Sequence, residues 1–368
     1  MDLLPAKRPA YFTTYPTPYQ PSMFFAKKAK RFCVDMGEQT TLAARFVESE
    51  GSLLIEEARE FPAKDVDGLI EWVKSSDGKG ATGLAPSTCG IYPAKRIIRR
   101  QTLDLKRVKE ATYFNEIYTQ QFRIEPDKYS LKVLNPGDGS PYDTIKATQK
   151  EAIFCGLPVD DISEIQDTLL SYGIYPERLE LGTLATLGGL VSYLKFKQSK
   201  SPVLVLEMGD ESTQSYIVSA DGVDISRSIA SGVASMIPVV QKELGLKDQE
   251  SAMKLFYSNT FDFTSMGGTL VKKLIKELQS LIGFYEVQTG QSIGQVLCTQ
   301  LPANLGWIAA TMATALGVPQ LSVEMMPWLG SLNIKLGERV TPNPPDQGWM
   351  GLFSLIASYE NAIAVEKK

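Results

Sequence analysis

The sequence predicts an α/β protein of at least two domains, and three observations carry that reading. The chain has 368 residues, more than one hydrophobic core usually accommodates. Runs of strand character alternate with amphipathic helical runs along its length. One local pattern also occurs twice. CVDMGEQTTLAARF, from Cys33, and VLEMGDESTQSYIV, from Val205, are each an apolar strand ending at an acid, then Met-Gly, a polar turn and a second apolar strand. Two such hairpins either face each other across a shared ligand or are two ordinary β-turns that look alike.

Element by element, residues 1–30 are rich in Pro, Tyr and Phe with basic residues interleaved and no stable period, an extended or partner-dependent arm. From Arg31 the first hairpin begins, and SLLIEEAREFP continues its sheet. DVDGLIEWVKSS is a short helix with Val66, Leu69, Ile70 and Val73 on one face, followed by the loop DGKGATG. AKRIIRRQTLD reads as a strand, and LKRVKEATYFNEIYTQQF as a helix with Val108, Ala111, Phe114, Ile117 and Phe122 in register. YSLKVLN and DTIKATQKEAIFCG read as strands around the turn PGDGSP, and VDDISEIQDTLLSYG as a helix. This β-α-β-β-α block, Lys95 to Tyr175, would form a small insert.

LELGTLATLGGLVSYLKF is expected to be an apolar helix crossing back. A three-stranded meander follows, with Asp221-Gly222 as a hairpin turn, then a helical stretch from Met236 to about Gln288. QVLCTQLPAN is a buried strand entering a turn, and LGWIAATMATALG a helix ended by Gly317 and Pro319. The last segment, MGLFSLIASYENAIAV, lacks the basic face of a membrane-surface helix and reads as a helix packed on the domain.

Composition narrows the chemistry. A formal net charge of −4 gives no reason to expect nucleic acid. Cys33, Cys89, Cys155 and Cys298 are scattered and read as reduced thiols of a cytosolic protein. With no histidine, His-dependent acid–base and nucleophilic catalysis and His-containing metal sites are excluded. No apolar run approaches a bilayer's thickness and the start lacks a signal-peptide pattern, so a cytoplasmic protein without direct membrane insertion is expected.

A tight turn between strands exposes backbone N–H groups, and glycine lets a phosphate approach them closely. Gly37, Gln39, Thr40 and Thr41 would line one side of such a site, and Gly209, Ser212 and Thr213 the other. Asp35, at its strand end, would orient magnesium-bound water.

The order of these segments resembles the actin-like ATPase superfamily of actin, Hsp70 and sugar kinases. Within it the chain is similar to the PilM family of type IV pilus assembly proteins, with the division protein FtsA more distant. The residues that carry the resemblance are SPVLVLEMGDESTQSYIVSADGVDISRSIASG, LGLKDQESAMKLFYS, LVKKLIKELQSLIGFYEVQTGQSIGQVLCTQ and MATALGVPQLSVEMMP. It implies two actin-like halves around a cleft with a small α+β insert in the first. The expected division is an arm at 1–30, the first half at 31–94, the insert at 95–175 and a return helix at 176–201. The second half follows at 202–234, a helical subdomain at 235–290, and the remainder with a C-terminal helix at 291–368. The two hairpins become phosphate loops, and Thr299 and Gln300 stand where the adenosine loop would hold ATP with magnesium.

Three departures bear on that pocket. The family's Gly-Gly pair after the adenosine-loop strand is replaced by Thr299, Gln300, Leu301 and Pro302. The aspartate of the second loop is Glu207, a methylene longer than magnesium's short, near-octahedral bonds favour. Glu38 and Gln39 replace small hydroxyls, and a carboxylate there repels phosphate. Loss of ATP and magnesium is therefore expected over retention, and no residue is assigned as a catalytic base. The bland alternative for Asp35 and Glu207 is two strand-end acids that stabilise the hairpins.

The resemblance implies a cytoplasmic scaffold of a pilus or secretion platform, peripheral at the inner membrane through the cytoplasmic N-terminal tail of a bitopic PilN-like protein, with self-association in view. The alternative is an active actin-like ATPase driving polymerisation or partner release. Leu3, Leu4, Pro5 and Arg8 resemble the leucine-proline motif of that tail, and would mimic it.

Overall fold

The computed structural model describes residues 30–49, 51–75, 83–146, 148–258 and 260–366. The first half begins with strands β1 (Arg31–Met36), β2 (Thr40–Ser49) and β3 (Ser52–Pro62), helix α1 (Val66–Lys74) and strand β4 (Ala85–Ile91). β5 (Ile97–Thr102), α2 (Tyr113–Glu116), β6 (Tyr129–Leu134) and β7 (Glu151–Pro158) come next, then α3 (Val159–Ser171), β8 (Ile174–Leu181) and α4 (Gly182–Phe196). The second half runs through β9 (Val203–Met208), β10 (Thr213–Ser219), β11 (Gly222–Ile229), α5 (Ile237–Glu243), α6 (Gln249–Tyr257), α7 (Gly267–Thr289), β12 (Gln295–Thr299) and α8 (Trp307–Leu316). α9 (Met325–Ser331), β13 (Ile334–Val340) and α10 (Met350–Glu366) close the chain.

Three sheets result. The first has the order β13-β3-β2-β1-β4-β8, the second β11-β10-β9-β12, and the third β5-β7-β6. In the first two, an antiparallel meander (β1-β2-β3, β9-β10-β11) is extended by a parallel strand beside its first member, β4 in one and β12 in the other. The same topology thus occurs twice along the chain, and the third sheet is formed by the segment between β4 and α3.

Strand alternation sorts the core. Phe32 and Val34 pack with Leu69, Trp72, Val73 and Leu169 beneath α1 and α3. Cys33 faces the other way, into a core under α4 and α10 that also takes Val203, Val205 and Tyr216 from the second sheet. That second sheet covers its opposite face with the helical subdomain, through Phe256, Val271, Leu274 and Ile308. α4 is apolar around its circumference because it is enclosed by both halves and by α10.

Four local readings of the sequence are corrected. The helix expected from Leu105 starts only at Tyr113 and continues as a π-turn over Ile117–Gln121, because Arg107 folds back to pair with Glu110 and Glu116. The strand expected from Asp143 begins at Glu151, since the Asp143 carboxylate accepts from Ile145 and Lys146 N–H groups and makes a turn. Leu179 to Leu181, expected as helix, end strand β8, whose partner β4 supplies a parallel edge. β13 was not anticipated and lies parallel to β3. The last segment is a packed helix: Leu352, Phe353, Leu355 and Ile356 are wholly buried. No helix among the described residues is long and apolar enough to cross a membrane.

Candidate functional site

Each hairpin places its acid one residue before the strand end, Asp35 opposite Leu42 and Glu207 opposite Gln214. The two turns face each other: a Cβ on Gly209 would stand 3.5 Å from the Glu38 carboxylate. β12 runs parallel to β9, with Thr299 beside Glu207, so the next residue emerges between the two turns. That residue is Gln300, and its Oε1 accepts from the backbone N–H of Glu38 at 3.3 Å. Gly37 has no room for a Cβ, which would strike the Gln300 amide and come within 2.9 Å of the Thr40 carbonyl. Gln300 holds this position at φ 61°, in the left-handed region that glycine occupies without strain.

Glu207 is 4 % exposed, with both carboxylate oxygens engaged. Oε1 pairs with the guanidinium of Arg96, from the link between β4 and β5, and Oε2 accepts from the Thr183 hydroxyl, in the first turn of α4, at 2.6 Å. Arg96 is itself fixed. Its Nε donates to Thr183 Oγ1 at 3.2 Å, and its Nη1 to the carbonyls of Tyr92 at 3.1 Å and Pro93 at 2.8 Å. An acid of the second half is thereby neutralised by a cation of the first.

Asp35 is 5 % exposed and lies beneath α10. Its Oδ2 accepts from the Tyr92 hydroxyl at 3.2 Å; its Oδ1 has no hydrogen-bond partner among the described residues. The carboxylate is walled by two glycines: a Cβ on Gly90 would come within 2.5 Å of Oδ1, and one on Gly351 of α10 within 2.7 Å of Oδ2. Burial pushes the Asp35 carboxyl up from 3.8 to about 7, against the lowering effect of the Tyr92 hydrogen bond.

Of the residues singled out in the sequence, Gly37, Gly209 and Gln300 meet in the cleft, with Glu207 and Thr299 on its second-half wall. Others are committed within their own hairpins. Thr41 is buried opposite Met36, and the Gln39 carbonyl accepts from Ala63 N at 2.9 Å. The Thr40 carbonyl faces Gly37. The Ser212 carbonyl accepts from Gly209 N at 3.0 Å, and the Thr213 hydroxyl donates to the Ser231 carbonyl at 2.7 Å. Among the described residues no cluster of acidic or thiol side chains is arranged to hold a metal ion. Leu3, Leu4, Pro5 and Arg8 lie outside the described residues. Sequence reasoning missed Arg96, Tyr92 and Thr183, which stand 111, 57 and 24 positions from the acids they bond and carry no local signature.

No family model and no curated protein sequence matches the chain. Among solved structures it is similar to the PilM-PilN type IV pilus biogenesis complex, at a TM-score of 0.60 and 14% identity over 90% of this chain and 97% of that one. It is also similar to the cytoplasmic domain of EpsL, an inner-membrane component of the type II secretion system of Vibrio cholerae, at a TM-score of 0.38 and 8% identity over 90% and 95% of the two chains. The ethanolamine utilization protein EutJ from Carboxydothermus hydrogenoformans gives 0.39 and 10%, over 93% and 91%. The chain has the actin-like ATPase fold. Its arrangement of that fold is PilM-like, on the first of these similarities.

Proposed function

We propose that the chain is a PilM-like scaffold of a type IV pilus or related secretion platform, with a cleft cross-linked by its own side chains rather than by a nucleotide. The observation that carries the reading is the Arg96–Glu207–Thr183 bridge, with Gln300 set against the first turn beside it. Magnesium-nucleotide binding in this fold asks for acid oxygens on metal-bound water and for open backbone donors facing phosphate. Both oxygens of Glu207 are taken, and Asp35 is enclosed by Gly90, Gly351 and Tyr92. The Glu38 N–H is capped by Gln300, and the Gly209 N–H by Ser212. The donors present do not fit ATP with magnesium.

What remains is a two-halved body bridged across its cleft, suited to holding others in place. The similar structure is a complex of PilM with PilN, which supports a PilN-like partner; we propose that the contact is made by an extended cytoplasmic tail of a bitopic inner-membrane protein, which would hold the chain peripherally at that membrane. Titration calorimetry with magnesium-ATP is the test, and no binding in the micromolar range is expected. Micromolar affinity with measurable hydrolysis would replace this reading with an actin-like ATPase. The tail of a bitopic protein encoded beside this one should bind whether or not ATP is present.

A further inference from the structure

Strand β5 opens the insert, and the chain there reaches the second half at two separated places. Arg96, just ahead of β5, pairs with Glu207 near the C-terminal end of β9. Arg100, four positions on, reaches β11. Its N–H donates to Ser226 Oγ at 2.9 Å, and its guanidinium bonds the Asp224 carbonyl and lies 3.4 Å from Asp224 Oδ1. Ile98, between the two arginines, is buried in the core shared with Val205, Tyr216 and Val223 of the second sheet. In that sheet Glu207 is opposite Gln214, which is opposite Ser228, four residues along β11 from Asp224. Two strand spacings across and four residues along place the two acids roughly 16 Å apart. The ~13 Å of chain from Arg96 to Arg100, with a long side chain at each end, spans that distance. β5 therefore lies obliquely over the second sheet and grips it at both ends.

The outer end is tied further. Asp224 Oδ2 accepts from the Tyr285 hydroxyl of α7 at 3.0 Å, and Arg100 Nε donates to Glu151 of β7 at 3.2 Å. Beside them the insert's Pro136-Gly137 turn rests on the β10–β11 hairpin, where Val223 N donates to the Pro136 carbonyl at 3.2 Å. A Cβ on Gly222, whose φ is 133°, would stand 2.2 Å from that carbonyl oxygen. The two ends differ in exposure. The Arg96 side chain is 10 % exposed, whereas those of Arg100 and Asp224 are each 24 % exposed, on the wall of an open groove of about 930 Å³. The wetter end is the one that opens more readily. β5 is paired with β7 along its whole length, so it shifts only together with the insert.

We infer that β5 is a two-point clasp that couples the insert's seat on β11 to the bridge across the cleft, so that loosening either end loosens the other. With Arg100 held on Asp224, the strand presents Arg96 to Glu207 already positioned. With Arg100 released, the same ion pair must order a freer strand, and the entropy lost weakens it. The coupling is reciprocal, so displacing Arg96 from Glu207 weakens the Arg100 contact by the same factor. A ligand that engages the insert thereby acts on the cleft, and one that enters the cleft acts on the insert. The inference does not depend on the partner or nucleotide readings above.

Hydrogen–deuterium exchange of the full chain tests this at two amides that lie off β5. The Glu38 N–H, bonded to Gln300, reports the cleft, and the Val223 N–H, bonded to Pro136, reports the insert's seat. Sites this far apart act independently unless something links them. Arg100→Gln should speed exchange at Glu38 roughly tenfold, and Glu207→Gln should speed exchange at Val223 by a similar factor. In the double variant the two effects should not multiply, because the clasp is already open. Asp224→Asn cuts the outer contact from its other side and should reproduce Arg100→Gln, which keeps the test decisive if one variant fails to fold. A rise confined to the end that carries the substitution, in any of these variants, would overturn the inference. So would factors that multiply in the double variant, which would make the two contacts independent.

Discussion

Gln300 combines a backbone cost with a side-chain gain. A non-glycine residue in the left-handed region costs about 1–2 kcal/mol, and its amide returns about 1 kcal/mol through the bond to Glu38 N. Gln300→Gly should therefore leave the thermal midpoint within a few degrees of the parent while removing the plug between the turns. If the midpoint falls steeply, Gln300 contributes more than one hydrogen bond. Asp35 gives a prediction in pH. Its folded value of about 7 lies above the ordinary 3.8, so the unfolded chain releases this proton first as pH rises. The stability it confers is full below about pH 4, declines as pH rises towards 7, and is gone above; the displacement corresponds to on the order of 4 kcal/mol. Denaturant melts of Asp35→Asn should lose that slope between pH 4 and 7. An unchanged slope would assign it to other groups. Neither residue's role could be read locally. The hairpins were legible because glycine and an acid recur at fixed offsets, but the hydroxyl that meets Asp35 and the guanidinium that meets Glu207 come from the Tyr92–Arg96 link, which sequence patterning leaves without a role.

At the scale of elements, α4 and α10 pack through glycines. Gly188 and Gly189 are neighbours in α4 with opposite surroundings: a Cβ on Gly188 meets nothing within 4 Å, while one on Gly189 would strike Ser354 and stand 2.8 Å from Met350 Cγ. Gly188→Ala should stabilise the protein by about 0.5–1 kcal/mol through helix propensity. Gly189→Ala should destabilise it by about 1–3 kcal/mol, because α10 must move away. Equal effects in chemical denaturation would mean that the two helices are not in close contact. The helices and the two meanders were legible because their apolar periods are long and uninterrupted. Shorter elements were not. β8 hides in an apolar run continuous with α4, and β13 carries Lys335, Glu338 and Arg339 because it is an edge strand with one half-exposed face.

For the whole molecule, the Arg96–Glu207 pair joins the insert side of the first half to the first strand of the second. Arg96→Met would leave a buried carboxylate without its cation, and should cost about 3–5 kcal/mol. Combined with Glu207→Met it should recover most of that loss, since a buried pair is often replaceable by apolar residues of similar volume. Failure of the double variant to recover would give the bridge a role beyond mutual neutralisation. Chain order adds a further constraint. The second half is continuous from β9 to α8, whereas the first half takes β1 to α4 from one end and β13 with α10 from the other. During synthesis the second half therefore has its full complement of strands and helices before the first does. Until α10 has left the ribosome, the surface of β1 and α4 that later encloses Asp35 stays wet. A nascent chain halted before Ile334 should yield a protease-resistant fragment from the second half alone, so the part made earliest is the last to become native.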